Sequence, residues 1–175
     1  MAASDTDSGS DPAGEGQVGD SSALALRERL AEEIGRAGRD GTELSCLLLR
    51  IEHLEELRSR YGSELPDQAL DYVEGTLRRE LRRSDRVGRP SHGELLVVLP
   101  GADGPQAEIV ARRVLERLRT VKVEADGRRH PLRISVALAA WREELSCEDL
   151  LAQTRTAAIL CPGNGSSPPL RRPST

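Results

Sequence analysis

Apolar positions along the chain fall into runs whose spacing predicts an ordered set of helices and strands. In 23–39, Leu26, Leu30 and Ile34 recur at helical spacing and the stretch ends near Gly38 and Gly41, which predicts a first helix. Residues 44–51, LSCLLLRI, are almost continuously apolar, the pattern of a central strand buried on both faces. Leu54, Leu57 and Tyr61 predict a helix over 53–61 that Gly62 stops. Leu70, Val73, Leu77 and Leu81 predict another that starts near Pro66 and closes before Ser84-Asp85. Two short strands, 86–89 and 94–99, follow, with a turn at Pro90-Ser91-His92-Gly93 between them. Ile109, Val110, Val114, Leu115 and Leu118 form the apolar stripe of a helix over 104–119. Residues 121–125 and 131–140 read as strands around Asp126-Gly127, and 147–160 as a closing helix capped by Ser146. This order predicts an α+β fold of ferredoxin-like or palm type, an antiparallel sheet flanked by helices.

Composition limits that fold to the middle of the chain. Of the 175 residues, 1–22 are mostly Gly, Ser, Ala and acids, with five acids and no bases, and cannot bury enough surface to offset their ordering entropy. Residues 162–175 are rich in Pro, Gly and Ser. Both stretches are expected to be disordered tails around one domain over 23–161.

The net charge of −4 also changes meaning once the acidic tail is set aside, because from residue 23 onward 25 bases face 24 acids. Such a balance gives no global attraction to polyanions. Only two tyrosines and one tryptophan are present and no phenylalanine, so stacking on single-stranded nucleic acid is not expected. Cys46, Cys147 and Cys161 lack metal-ligand spacing and suit small buried hydrophobes in a reducing cytosol. No apolar run is long enough to span a membrane and no signal pattern precedes the domain, which points to a cytoplasmic protein without a membrane partner. The one concentrated charge is local: Arg78, Arg79, Arg82, Arg83, Arg86 and Arg89 against Glu80 and Asp85 leave +4. That cluster suits nucleotide phosphates or an acidic protein partner, although a solvated helix face is the commoner explanation. His53 and His92 have no neighbour spaced for metal binding or nucleophile activation.

Several of these stretches resemble diguanylate cyclases of the GGDEF family, nucleotide cyclase-like domains of bacteria. The turn Ser91-His92-Gly93-Glu94-Leu95 stands where that family has Gly-Gly-Asp/Glu-Glu-Phe. LLRIEHLEELRSRYGSELPD is similar to its first strand and helix, with Ile51, His53, Tyr61, Gly62 and Asp67 on matching positions. Arg82-Arg83-Ser84-Asp85 matches the family's inhibitory Arg-x-x-Asp, five residues before the bend. LVVLPGADG, ARRVLERLR, ISVALA and EDLLAQTRTAAIL resemble the elements that follow. The departures fall on chemistry: Arg50 stands at a metal-binding aspartate, Glu52 at the following acid and Arg58 at an asparagine that contacts the guanine base. Arg155 replaces a usual Asp, and Pro162 stands at a phosphate-contacting lysine.

Two-metal phosphoryl transfer needs carboxylates to hold Mg²⁺ against a triphosphate. A guanidinium at position 50 opposes a dication: one pair of unit charges at ~4 Å and an effective dielectric near 20 costs on the order of 4 kcal/mol, and a +1 against a +2 about twice that. Gly93 has no side-chain oxygen, Pro90 no N–H, and Ser91 and His92 put side chains where glycines would let phosphates approach. The expectation is a domain with no catalytic residue, no metal site and no cofactor, Mg²⁺ entering only if cyclase activity survives. By resemblance, Arg82 and Asp85, helped by Arg113 on the following helix, would bind cyclic di-GMP, and Asp67 would contact a nucleotide base. A regulatory, cyclic di-GMP-binding module is thus the leading expectation, and a protein-interaction scaffold or a residual cyclase are the alternatives. The chain is compatible with working alone or as a homodimer.

Overall fold

The computed structural model describes residues 17–157 and 159–160, with side-chain surroundings over 22–157. The elements in chain order are α1 (Gln17–Asp40), β1 (Leu44–Ile51), α2 (Leu54–Tyr61), α3 (Glu64–Glu80), β2 (Arg86–Gly88), β3 (Glu94–Pro100) and α4 (Gly104–Leu118). They continue with β4 (Lys122–Ala125), β5 (Arg128–Pro131), β6 (Ile134–Ala140), α5 (Cys147–Thr156) and β7 (Ile159–Leu160). The main sheet runs β2-β3-β1-β6-β7 with every pairing antiparallel, and β4-β5 form a separate hairpin. This is the expected α+β ferredoxin-like arrangement.

The continuous apolar run of β1 follows from its central place. Leu47, Leu49 and Ile51 point to one face and join Leu70, Val73 and Leu77 of α3 and Ala107, Ala111 and Val114 of α4. Leu44, Cys46 and Leu48 point to the other and join Leu26 and Leu30 of α1 and Leu150 and Leu151 of α5. Side chains alternate across a strand, so a strand covered on both faces must be apolar throughout. β3 obeys the same rule, with Leu95, Val97 and Leu99 on the first face and Leu96 and Val98 on the second. α1 reaches the sheet edge as well: a Cβ placed on Gly88 of β2 would lie 2.7 Å from Leu26 Cδ1, so glycine is what lets the Leu26 side chain lie against the strand backbone.

Four boundaries differ from the sequence reading. Helix α1 begins at Gln17, so 17–22 are helical where a disordered tail was expected; 1–16 and the expected tail 162–175 lie outside the described residues. Helix α3 starts at Glu64, two residues before Pro66, which the first turn tolerates because its N–H needs no partner there. The segment 131–140 is not one strand. Asp126 (φ 52) and Gly127 (φ 67) form the tight turn of the β4-β5 hairpin, whose second strand ends at Pro131, and Ile134 opens β6 in the main sheet. Helix α5 stops at Thr156, not Leu160. Ile159 and Leu160 pair instead with Ala137 and Val136 as β7. The Ser146 cap holds, and it forms a capping box with Asp149.

Candidate functional site

The register of the sheet decides what meets at the β2-β3 bend. Arg50 is the Cα partner of Glu94 on β3 and of Ser135 on β6, and the Ile51 N–H donates to the Gly93 carbonyl. Gly93 turns the chain with φ +80, a conformation glycine adopts freely. The expected signature residues therefore sit together, Ser91, His92 and Gly93 in the bend and Glu94 and Leu95 opening β3, with Leu95 buried in the core.

Glu94 is 8% exposed and is held from three sides. Arg50 Nε and Nη2 reach its Oε1 at 3.0 and 2.9 Å, Arg155 Nη2 of α5 reaches Oε2 at 3.2 Å, and the Ser91 hydroxyl donates to Oε2 at 2.6 Å. Burial pushes the carboxyl upward. The hydrogen bonds from Ser91, Arg50 and Arg155 and the charge of Arg155 outweigh it, and the group stays ionised below its ordinary range. Glu52, the other acid at this edge, accepts from the Ser135 hydroxyl at 2.6 Å.

Divalent-ion binding needs several hard oxygen ligands around a common point. Here the single signature carboxylate is occupied by two guanidinium groups. Among the described residues no group of three His, Cys, Asp or Glu side chains could hold a metal ion. Arg50 and Arg155 set their positive charge on the carboxylate that Mg²⁺ would need.

The positions that the resemblance assigns to base contacts are altered in the same direction. Arg58 donates to the His92 ring, lies 3.7 Å from the Asp67 carboxylate and 3.9 Å from Glu55. Asp67 and His92 do line one cleft, of about 830 Å³, between α3, the bend and the Ser22-Ala23 end of α1. Arg58 thereby places positive charge beside the carboxylate that the resemblance assigns to a base contact.

Arg82 and Asp85 form a tight turn after α3. The Asp85 carboxylate accepts from the Arg82 N–H at 2.8 Å, and the Asp85 N–H donates to the Arg82 carbonyl. The Arg82 side chain is exposed, without a hydrogen bond or ion pair among the described residues. Arg113 reaches from α4 to the Glu80 carbonyl at 2.9 Å, which brings it to the end of α3 beside this turn. The +4 cluster is less free than its sequence implied. Arg89 is bound to Asp71 (2.6 Å) and Glu74 (2.9 Å) and Arg78 to Glu74 (2.7 Å), so α3 neutralises two of its six arginines. Burial lowers the Arg89 pKa, but those two acids raise it further and the net shift is upward. His53, at the entry to α2 with φ 61, is exposed and 3.4 Å from Glu56.

The contact sequence reasoning missed is Arg155 with Glu94. A signal existed: Arg50 and Arg155 are both bases at positions where the resemblance calls for aspartate, and paired charge reversals mark residues that face a common partner.

A ferredoxin-like antiparallel sheet with helices on both faces, and a hairpin bend at the end of its central strand pair, defines a nucleotide cyclase-like palm domain. The family model for the diguanylate cyclase GGDEF domain matches residues 22–160. The chain belongs to that family. It is 38% identical over 95 residues to the diguanylate cyclase DgcP of Pseudomonas aeruginosa, covering 54% of this chain and 14% of that protein. It is 28% identical over 124 residues to the uncharacterized membrane protein YdaK of Bacillus subtilis, covering 71% of this chain and 44% of that one. The chain thus spans less than half the length of these relatives. Among solved structures, SiaD of Pseudomonas aeruginosa, crystallised with its activator SiaC, superposes with TM-score 0.72 at 25% identity over 77% of this chain and 52% of SiaD. The GGDEF domain of DgcB from Caulobacter crescentus, crystallised with c-di-GMP, also gives 0.72, at 15% identity over 77% of this chain and 81% of that one, a likeness of fold. Among the described residues no helix is long and apolar enough to cross a membrane.

Proposed function

We propose that this chain is a GGDEF-family domain without cyclase activity, acting as a regulatory module that binds cyclic di-GMP through Arg82 and Asp85 with help from Arg113. The observation that carries the first half is the convergence of Arg50 and Arg155 on Glu94. Phosphoryl transfer depends on positive charge placed against the triphosphate by ions that a carboxylate holds. In this domain the carboxylate is spent on internal guanidinium groups, and the bend offers no other oxygen ligand from Gly93. The second half is supported by the exposed Arg82 guanidinium, a fork suited to a phosphate or a guanine edge, and by Arg113 close to the same turn.

Two measurements test the two halves separately. Incubation of the purified protein with GTP and Mg²⁺ or Mn²⁺ yields no cyclic di-GMP by liquid chromatography; measurable product overturns the first half. Titration calorimetry with cyclic di-GMP gives saturable heat that Arg82→Ala with Asp85→Ala abolishes. Absence of heat from the unmodified protein, or heat unchanged by the variant, removes the second half and leaves a protein-binding scaffold as the reading.

A further inference from the structure

Helix α2 divides two clefts. Arg58 and Glu55 face the bend, where Arg58 meets His92 and Asp67. His53 at its entry, with Glu56, Leu57, Arg60 and Tyr61, spaced three and four residues apart, make a second stripe. With His130 and Pro131 of β5 and Arg133 beyond it, they line a separate cleft of about 350 Å³. Arg60 and Arg133 bring two guanidinium donors to its lining, two imidazoles and a phenol add further polar groups, and Glu56 is the one carboxylate among the lining residues. That carboxylate already has a neighbour, since His53 Nδ1 lies 3.4 Å from it. The other side is ordered around Tyr61: its hydroxyl is 3.5 Å from His130 Nε2, its ring centroid 5.7 Å from that of His130, and the Arg60 guanidinium carbon sits 5.4 Å from its centre. Leu57 and Pro131 give the apolar part of the wall.

We propose that this second cleft binds a phosphate group, free or carried as a monoester on a small molecule. Convergent donors with one partnered acid suit a compact oxyanion with several acceptor atoms, and the two arginine forks provide the charge-assisted bonds. The volume lies at the small end of ligand sites, which fits a monoester of sugar size better than a dinucleotide. None of the lining residues belongs to the Arg82-Asp85-Arg113 set, so this site and the cyclic di-GMP reading stand or fall independently.

The test uses the protein's own histidines. The chain has three, and two of them, His53 and His130, line this cleft while His92 sits at the bend. Imidazole resonances are followed by NMR as inorganic phosphate is added at fixed pH and ionic strength, with glycerol 3-phosphate in a parallel series. The expected result is saturable shifts at His53 and His130 that leave His92 in place, with an apparent Kd on the order of 1 mM or tighter. Arg60→Gln with Arg133→Gln weakens binding by at least about tenfold through loss of two charge-assisted bonds. The charge-matched Arg112→Gln on α4 with Arg119→Gln at its C-terminal cap leaves it intact. Tighter binding of the ester assigns the cleft to phosphomonoesters, and equal or weaker binding assigns it to free phosphate. Unsaturable shifts, equal movement of all three histidines, or full binding by the Arg60/Arg133 variant overturns the proposal.

Discussion

Replacing Glu94 by Gln tests the cluster on which the proposed absence of cyclase activity rests, because it removes the charge while keeping the shape. Taking one partner from a buried ion pair costs about 3–5 kcal/mol when the remaining charge is trapped in the protein. Here the survivors are partly wet, the Arg50 and Arg155 side chains being 40% and 37% exposed, while that of Glu94 is 10% exposed. Rehydration of the two guanidiniums reduces the figure by roughly half, whereas their mutual repulsion, about 1–2 kcal/mol at an effective dielectric of 20–40, restores part of it. The expected loss is about 2–3 kcal/mol at neutral pH, or a fall in Tm of roughly 5–10 °C for a domain of this size.

The pH dependence gives a second handle on the same substitution. The folded carboxyl titrates below its ordinary 4.5. Its contribution is therefore complete above the unfolded value and is lost as pH falls through the lower folded one. Urea unfolding of both proteins followed by circular dichroism, at neutral pH and in steps down to about pH 3.5, should show a gap that closes in acid. A variant within about 0.5 kcal/mol of the unmodified protein at neutral pH, the range of an ordinary surface change, would refute the argument. So would a gap that persists undiminished in acid.

Three further outcomes follow from single positions. Gly88→Ala drives a methyl group into Leu26, only 2.7 Å away, and should lower stability by about 1–3 kcal/mol while freeing α1 from β2, seen as faster amide exchange in α1. Gly93→Asp, the substitution that would return an acid to the signature, places a Cβ at φ +80 and 3.1 Å from Leu54 Cδ2. It should cost about 1–2 kcal/mol in a thermal melt and restore no GTP turnover, because Arg50 remains. Burial pushes the Cys46 thiol up to about 12, with a smaller contribution from Cys147. In the folded protein it should therefore resist maleimide at pH 8 and react only on unfolding; rapid labelling would contradict its burial.

The sheet was legible because its physics is local. The run at 44–51 gives β1 with both boundaries right, since a strand sandwiched between helix layers has no polar face to conceal it. The bend and the Ser146 cap were likewise readable from residue types with fixed conformational roles. What escaped were features settled by distant partners. Nothing near Ile159-Leu160 announces a strand, because its pairing partner Val136-Ala137 lies on β6, across helix α5. The salt bridges of Arg89 to Asp71 and Glu74 join a helix to a loop that follows it, and without them Arg78 and Arg89 look like free positive charge. The candidate site was half legible: resemblance located Arg50 and Glu94, but not that they touch, nor that Arg155 closes on the same carboxylate.

On the proposed reading, that closure lets a palm of this family do without a bound metal while keeping its fold. A family member that relies on bound cations has carboxylates converging at the end of its central strands, and those carboxylates repel one another wherever no cation is present. Substituting one acid by Arg50 supplies permanent positive charge to the acid that is left, and Arg155 adds a second contact from α5. Glu94 then bridges β1, its own strand β3 and the closing helix, three elements that an unliganded metal site would push apart. The same logic governs Arg58 and Asp67, where a guanidinium of the protein lies 3.7 Å from a carboxylate at the edge of the cleft. On that reading the charge neutralisation at the end of the central strands is built into the chain, and the fold needs no ion there to hold these three elements together.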